Sequence, residues 1–183
     1  MGRIEVITGP MFSGKSEELV RRALRLIYAK KKVIAFHHAL DNRFGSKKIV
    51  SRSGFELESY PVSRFDFEII WDLAKEYDAI LIDEAQFFDE ALVEACLNLR
   101  RRSKIVLVSG LDLDVYENPF GPMPKLLALA DRVDKLKAVC FECGEEATIS
   151  YRLSGEKEQI VVGDKNYVAL CYRCYYARKK EEL

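Results

Sequence analysis

Apolar residues recur along the chain in two rhythms, and the alternation of those rhythms predicts its elements. "RIEVIT" (Arg3 to Thr8) alternates and is β-branched, which predicts a strand. In the next segment, "SEELVRRALRLIYAKK", Leu19, Ala23, Leu26 and Ile27 share one helical face. "KKVIAFHH" predicts a second strand, "ALDNRFGSKK" (39–48) a loop, and "IVSRSGFELESYPV" short strands around a Ser-Gly turn. Phe67, Ile70, Trp71 and Ala74 have helical spacing, "DAILI" is a buried strand running into Asp83-Glu84, and "FDEALVEACLNLRRR" is helical again. "KIVLVSG" is a further buried strand.

Strands that alternate with helices, several of them continuously apolar, imply a parallel sheet covered by helices on both faces. Ligands of such sheets sit outside the carboxyl ends of the strands, and a glycine loop at 9–16, Asp83 and Gly110 all fall at such ends. Near Gly121 the pattern changes. "PMPKLLALADR" is a short helix with prolines in its first turn, and from Asp131 the chain becomes β-like and cysteine-bearing. A boundary is expected near 135, dividing a nucleotide-binding α/β domain (1–135) from a small metal-binding domain (136–183).

The loop Gly9-Pro10-Met11-Phe12-Ser13-Gly14-Lys15-Ser16 has the spacing G-x-x-x-x-G-K-[ST] between a strand and a helix. Glycines let the backbone approach an anion, their N–H groups form a nest, and the helix start adds its dipole. Lys15 is suited to the β- and γ-phosphates of ATP and the Ser16 hydroxyl to Mg²⁺. Asp83 is the expected partner of the magnesium shell. Glu84, one residue on along an extended chain, would point to the opposite side and take a proton from an attacking hydroxyl. Water, a sugar hydroxyl and a protein hydroxyl all remain open as that nucleophile.

Lys+Arg and Asp+Glu number 29 each, so the formal charge is zero and the basic excess of a nucleic-acid binder is missing. The chain lacks an apolar run of membrane-spanning length, and its charged N-terminus enters a strand at once; a cytoplasmic address with no membrane partner is expected. Four of five cysteines form Cys140-x₂-Cys143 and Cys171-x₂-Cys174, separated by residues 144 to 170. Four thiolates suit a structural, tetrahedral Zn²⁺, with an Fe–S cluster or redox use less favoured. The span between them predicts a hairpin or loop clamped at its base, placed to act as a lid. Cys96 is expected to be buried and inert. His37 and His38 suggest a neutral surface or supporting role, and the basic run 100–104 complements a helix end.

Three classes fit these features: a small-molecule kinase, a nucleic-acid-stimulated ATPase suggested by "DEAQ" and the paired cysteines, and a nucleotide-binding module without turnover. The chain is too short for two motor domains, and an idle Glu84 would be unexplained. Taken together, "GPMFSGKS", "DNRF", "DEAQFF", "GLDLDVYENPFGPM", both cysteine pairs and "EKEQIVVGDKNYVALC" resemble the thymidine kinase family of the cellular, type II branch, over about Gly2 to Tyr176.

The resemblance implies a P-loop, RecA-like parallel sheet plus a small zinc-ribbon-like β domain carrying a lasso loop. It implies transfer of the ATP γ-phosphate to the 5′-hydroxyl of thymidine, with deoxyuridine a poorer acceptor. Glu84 matches the catalytic base. Residues 9–16 match the ATP loop, and Asp83, Glu84, Ala85 and Gln86 the second nucleotide element, with Asp41 and Arg43 matching a loop that handles phosphate and metal. Met11, Phe87, Leu111, Phe120 and Ser150 match residues around the base. Ile160, Val161, Val162 and Gly163 lie in the lasso that closes over thymine, and Tyr167 fixes that loop. The four paired cysteines match a structural zinc. A homotetramer inhibited by thymidine triphosphate, with no nucleic-acid partner, is also implied.

Overall fold

The computed structural model describes residues 1–40, 48–50, 56–64, 66–153 and 165–181. Six strands, β1 (Arg3–Thr8), β2 (Val33–His38), β5 (Tyr60–Val62), β6 (Ala79–Asp83), β7 (Ile105–Gly110) and β8 (Arg132–Lys135), form one sheet in the order β5-β2-β6-β7-β1-β8. Every pairing in it is parallel. The continuously apolar strands therefore lie inside a covered sheet, as their sequences predict. β3 (Lys48–Val50) and β4 (Glu56–Glu58) pair antiparallel apart from it.

Helices pack on both faces. Helix α1 (Lys15–Tyr28) covers one, where Leu19, Val20 and Ala23 meet Ile7, Leu81 and Leu107. On the other, Ile70 and Ala74 of α2 (Phe67–Ala74), Leu92, Cys96 and Leu99 of α3 (Ala91–Arg101), and Met123 and Leu126 of α4 (Met123–Leu129) meet Val6, Ile80, Ile82 and Val108. Cys96 is fully buried there, and that burial pushes its thiol up to about 12, so it is inert as expected.

Two details depart from the expected pattern. Ile27 is 42% exposed, because burial fades along the last turn of α1. Arg22, by contrast, is buried, since its guanidinium meets Glu5 at 2.8 Å, Glu18 at 2.7 Å and Asp134 at 2.6 Å. Three carboxylates compensate a cation that helical periodicity alone would place in water. The basic run after α3 is structural: Arg102 stacks over Trp71 at 4.4 Å, and Lys104 donates to the Lys75 and Tyr77 carbonyls.

Beyond Lys135 the remaining strands form separate two-stranded pairs. β9 (Ala138–Val139) pairs antiparallel with β10 (Glu146–Ala147), and β11 (Ile149–Arg152) with β12 (Tyr167–Leu170). Helix α5 (Tyr172–Glu181) follows. Their shared core of Ile149, Tyr151, Leu170 and Tyr175 also receives Phe12 from the 9–16 loop.

Candidate active site

The 9–16 loop leaves the end of β1 with three left-handed residues, Gly9 (φ 142), Phe12 (φ 67) and Gly14 (φ 84). A Cβ at Gly9 would lie 2.4 Å from the Leu136 carbonyl oxygen, so the chain entering the cysteine-bearing lobe passes directly over the loop. The Pro10 carbonyl accepts from Lys15 Nζ at 2.7 Å and from the Ser13 hydroxyl at 2.8 Å, which folds the loop around its own centre. Helix α1 starts at Lys15 behind Gly14, a residue with no side chain to cap it. The first N–H groups of α1 are thus left without a side-chain cap at the end of the loop, and Lys15 is the first residue of the helix.

The second acidic element arrives from β6. The Ser16 hydroxyl lies 3.1 Å from Asp83 Oδ2, so the two residues suited to Mg²⁺ are adjacent. Asp83 Oδ1 also accepts the Glu84 N–H at 2.9 Å. Here the local expectation needs correcting. Glu84 is not extended; it takes a left-handed conformation (φ 53, ψ 42), and the chain then enters a 3-10 turn at Ala85–Phe87. The turn, rather than strand alternation, separates Glu84 from Asp83. A non-glycine residue held left-handed costs about 1 kcal/mol or more, and such strain concentrates at functional sites.

That turn anchors a wall of apolar residues. Gln86 is buried; its amide donates to Glu84 Oε2, and its Oε1 accepts the Leu111 N–H at 3.0 Å. Phe87 meets Phe120 edge-on at 6.1 Å between centroids, and His38 packs on Phe87 at 5.9 Å and Phe88 at 4.7 Å. Both histidines are buried, not superficial. The His37 ring meets the Ser59 hydroxyl at 2.6 Å, and burial holds the His38 imidazole below its usual range. Asp114 accepts the Tyr116 and Asn118 N–H groups, each at 2.9 Å, and so builds the turn leading to Phe120.

The lobe beyond Lys135 joins this site. The Ser150 hydroxyl, on β11, accepts the Met11 N–H at 2.9 Å. Arg152, next on the same side of β11, donates from Nε to the Tyr167 hydroxyl at 3.1 Å, and both side chains are buried. The expected residues thus form two groups, Phe87, Leu111 and Phe120 around Gln86, and Met11 and Ser150 at the loop, with Tyr167 held by Arg152. Asp41, Arg43, Ile160, Val161, Val162 and Gly163 lie outside the described residues.

Cys140, Cys143, Cys171 and Cys174 bring their sulfurs within 4.8 Å of one another, with Cys143 and Cys171 at 3.6 Å. A tetrahedron with zinc–sulfur bonds of about 2.3 Å has edges near 3.8 Å, so the cluster fits Zn²⁺. Glu142, inside the first pair, is taken by Arg178 and is not among the grouped ligands. Arg152, the Lys135–Asp112 ion pair at 2.7 Å and the Leu136 carbonyl over Gly9 escaped prediction. Each depends on contacts distant in sequence, and only the stretch "GLDLDVYENPFGPM" marked Asp112 at all.

A model of the thymidine kinase family matches residues 2–175. A thymidine kinase of Bacteroides thetaiotaomicron is 41% identical, over 99% of this chain and 90% of its own length. Those of Metamycoplasma arthritidis and Mycoplasma mobile are each 42% identical, over the whole of this chain and 94% and 91% of theirs. The flagellar accessory protein FlaH of Methanocaldococcus jannaschii superposes with a TM-score of 0.52 at 13% identity, covering 92% of this chain and 89% of its own, a likeness of fold alone. The 9–16 loop, the acidic strand end beside it and the four-cysteine lobe bonded to that loop are thus features of an enzyme: the chain is a kinase and belongs to the thymidine kinase family.

Proposed function

We propose that this chain transfers the γ-phosphate of ATP to the 5′-hydroxyl of thymidine. One observation carries the reading: the Met11 N–H of the phosphate loop is bonded to Ser150 of the cysteine-bearing lobe, at 2.9 Å. A donor cradle and an acceptor lobe that touch leave the two substrates adjacent. Lys15 and the first N–H groups of α1 bind the triphosphate. Ser16 and Asp83 would hold Mg²⁺, which supplies charge neutralisation between the β- and γ-phosphates. Asp41 and Arg43 assist there on the strength of the family resemblance.

Glu84 accepts the 5′-hydroxyl proton as that oxygen bonds to the γ-phosphorus and the bond to the β-phosphate oxygen breaks, releasing ADP. The Gln86 contact orients the Glu84 carboxylate. Phe87, Leu111 and Phe120 line the base. On the strength of the same resemblance, Ile160, Val161, Val162 and Gly163 contribute the main-chain groups that recognise the base, and Tyr167 fixes that segment. An apolar wall discriminates one methyl by about 1–3 kcal/mol, so deoxyuridine is a poorer substrate rather than an excluded one. The four cysteines would hold Zn²⁺, whose work there is to staple a lobe with a small core.

A division near residue 135 belongs to the same reading and is supported by the end of the parallel sheet at Lys135. Feedback inhibition by thymidine triphosphate, a homotetramer and a cytoplasmic address belong to the same reading. The test is direct. Incubation with ATP, Mg²⁺ and thymidine yields thymidine 5′-monophosphate, whereas single-stranded DNA in place of thymidine releases phosphate only at background. DNA-stimulated hydrolysis without the monophosphate would overturn it.

A further inference from the structure

Ser109, the penultimate residue of β7, is fully buried, yet its hydroxyl has no hydrogen-bond partner among the described residues. Buried hydroxyls are nearly always paired, and an orphan costs stability, so its persistence needs a reason. Its place in the sheet supplies one. Leu107 belongs to the core under α1 and Val108 to the core on the opposite face, so Ser109 faces α1. On β6, Leu81 and Ile82 alternate in the same way, which puts Asp83 on the α1 face too. Ile82 pairs with Val108, and Asp83 and Ser109 are the residues that follow this last pair on the two strands. On its other side Ser109 pairs with Ile7, two residues before Gly9. The orphan hydroxyl thus lies on the face that carries the Ser16–Asp83 contact, at the strand ends beneath the phosphate loop.

We propose that Ser109 is a positioning residue of the metal-nucleotide site, donating to the Asp83 carboxylate when the site is loaded. The proposal rests on the phosphate-loop reading above. In the present structure Asp83 accepts from Ser16 and from the Glu84 N–H. A divalent cation bound with ATP claims lone pairs of the Ser16 oxygen, and the Ser16–Asp83 pair must shift to admit it. A carboxylate has about four lone-pair sites and accepts several donors at once. The Ser109 hydroxyl reaches that role by rotating, and it then holds Asp83 as an acceptor for cation-bound water. The hydroxyl is unsatisfied in the empty site and satisfied in the loaded one, so its cost without ligand becomes affinity with it.

The consequence has opposite signs in two measurements on the full chain. Ser109→Ala removes a buried orphan, so the ligand-free protein melts at or above the wild-type temperature. The same variant loses about tenfold of the affinity that Mg²⁺ adds to ATP binding in calorimetric titration, the equivalent of one hydrogen bond to a charged group. ATP affinity measured in EDTA stays unchanged. Ser109→Cys, a weaker donor of similar size, recovers part of the loss. An unchanged Mg²⁺ contribution in Ser109→Ala would overturn the proposal, as would an equal loss in EDTA accompanied by a lower melting temperature, the mark of a purely structural residue. If the wild-type chain itself shows no Mg²⁺-dependent ATP binding, the phosphate-loop reading fails as well. Normal wild-type binding with an indifferent variant defeats this inference alone.

Discussion

Replacing Ser150 by alanine removes the acceptor of the Met11 N–H, a link between the lobe beyond Lys135 and the 9–16 loop. Ser150 is only 4% exposed, and the bond is 2.9 Å long. A neutral hydrogen bond contributes about 0.5–1.5 kcal/mol net, and a fully buried orphaned donor would cost about 1–3 kcal/mol. Met11 is half-buried, so water partly replaces the lost partner and the lower range applies. About 1 kcal/mol converts to roughly fivefold in a binding constant. The loss should appear in ATP·Mg²⁺ binding measured by calorimetry with no nucleoside present, because Met11 belongs to the 9–16 loop proposed to hold the triphosphate. Ser150→Thr, which keeps the hydroxyl, should restore most of it. If Ser150→Ala weakens thymidine binding alone and leaves ATP affinity untouched, the two sites are not coupled through this bond.

Three other perturbations have defined outcomes. Gly121 is left-handed (φ 52), and a Cβ there would lie 2.3 Å from the Gln86 carbonyl oxygen. Gly121→Ala should therefore cost about 2–4 kcal/mol in urea unfolding, from backbone strain and overpacking together; a change below about 0.5 kcal/mol would refute the strain. Cys171→Ser should reduce bound zinc well below one equivalent by elemental analysis and lower the melting temperature by about 5–10 °C, matching the effect of a chelator on the wild type. Hydrogen bonds from Arg21, then Arg22, hold the Glu18 carboxyl down at about 2 against an ordinary 4.5. Its stabilisation is complete above about pH 4.5 and disappears as pH falls to about 2. Glu18→Gln should thus cost about 1–2 kcal/mol at pH 6, less than the full linkage value because the side chain is 20% exposed, and the difference should vanish near pH 2.

What was legible in the sequence is what short-range chemistry dictates. The glycines, lysine and serine of 9–16 stand at fixed offsets, the apolar run before Asp83 has nowhere to go but a covered sheet, and paired cysteines carry their ligand spacing with them. Contacts set by the fold were not legible. β8 reads as β-like, but its parallel pairing with β1 joins residues more than a hundred positions apart. Arg22 has the look of a solvated helical residue, and only the approach of Glu5 and Asp134 makes its burial tolerable. The left-handed Glu84 is imposed by the turn that buries Gln86, and alternation along an extended strand could not reveal it. Ser109 reads as a polar strand ending until the pairing of Ile82 with Val108 brings the end of β6 alongside that of β7.

If Glu84 takes the proton from a nucleoside hydroxyl held against the ATP γ-phosphate, then single-turnover formation of thymidine monophosphate by Glu84→Gln is the step that must slow. The amide is nearly isosteric but cannot accept the proton as a carboxylate does. ATP affinity should stay within about twofold of wild type, and the transfer rate should fall by about 10²–10⁴. Transfer at the wild-type rate would contradict that role for Glu84.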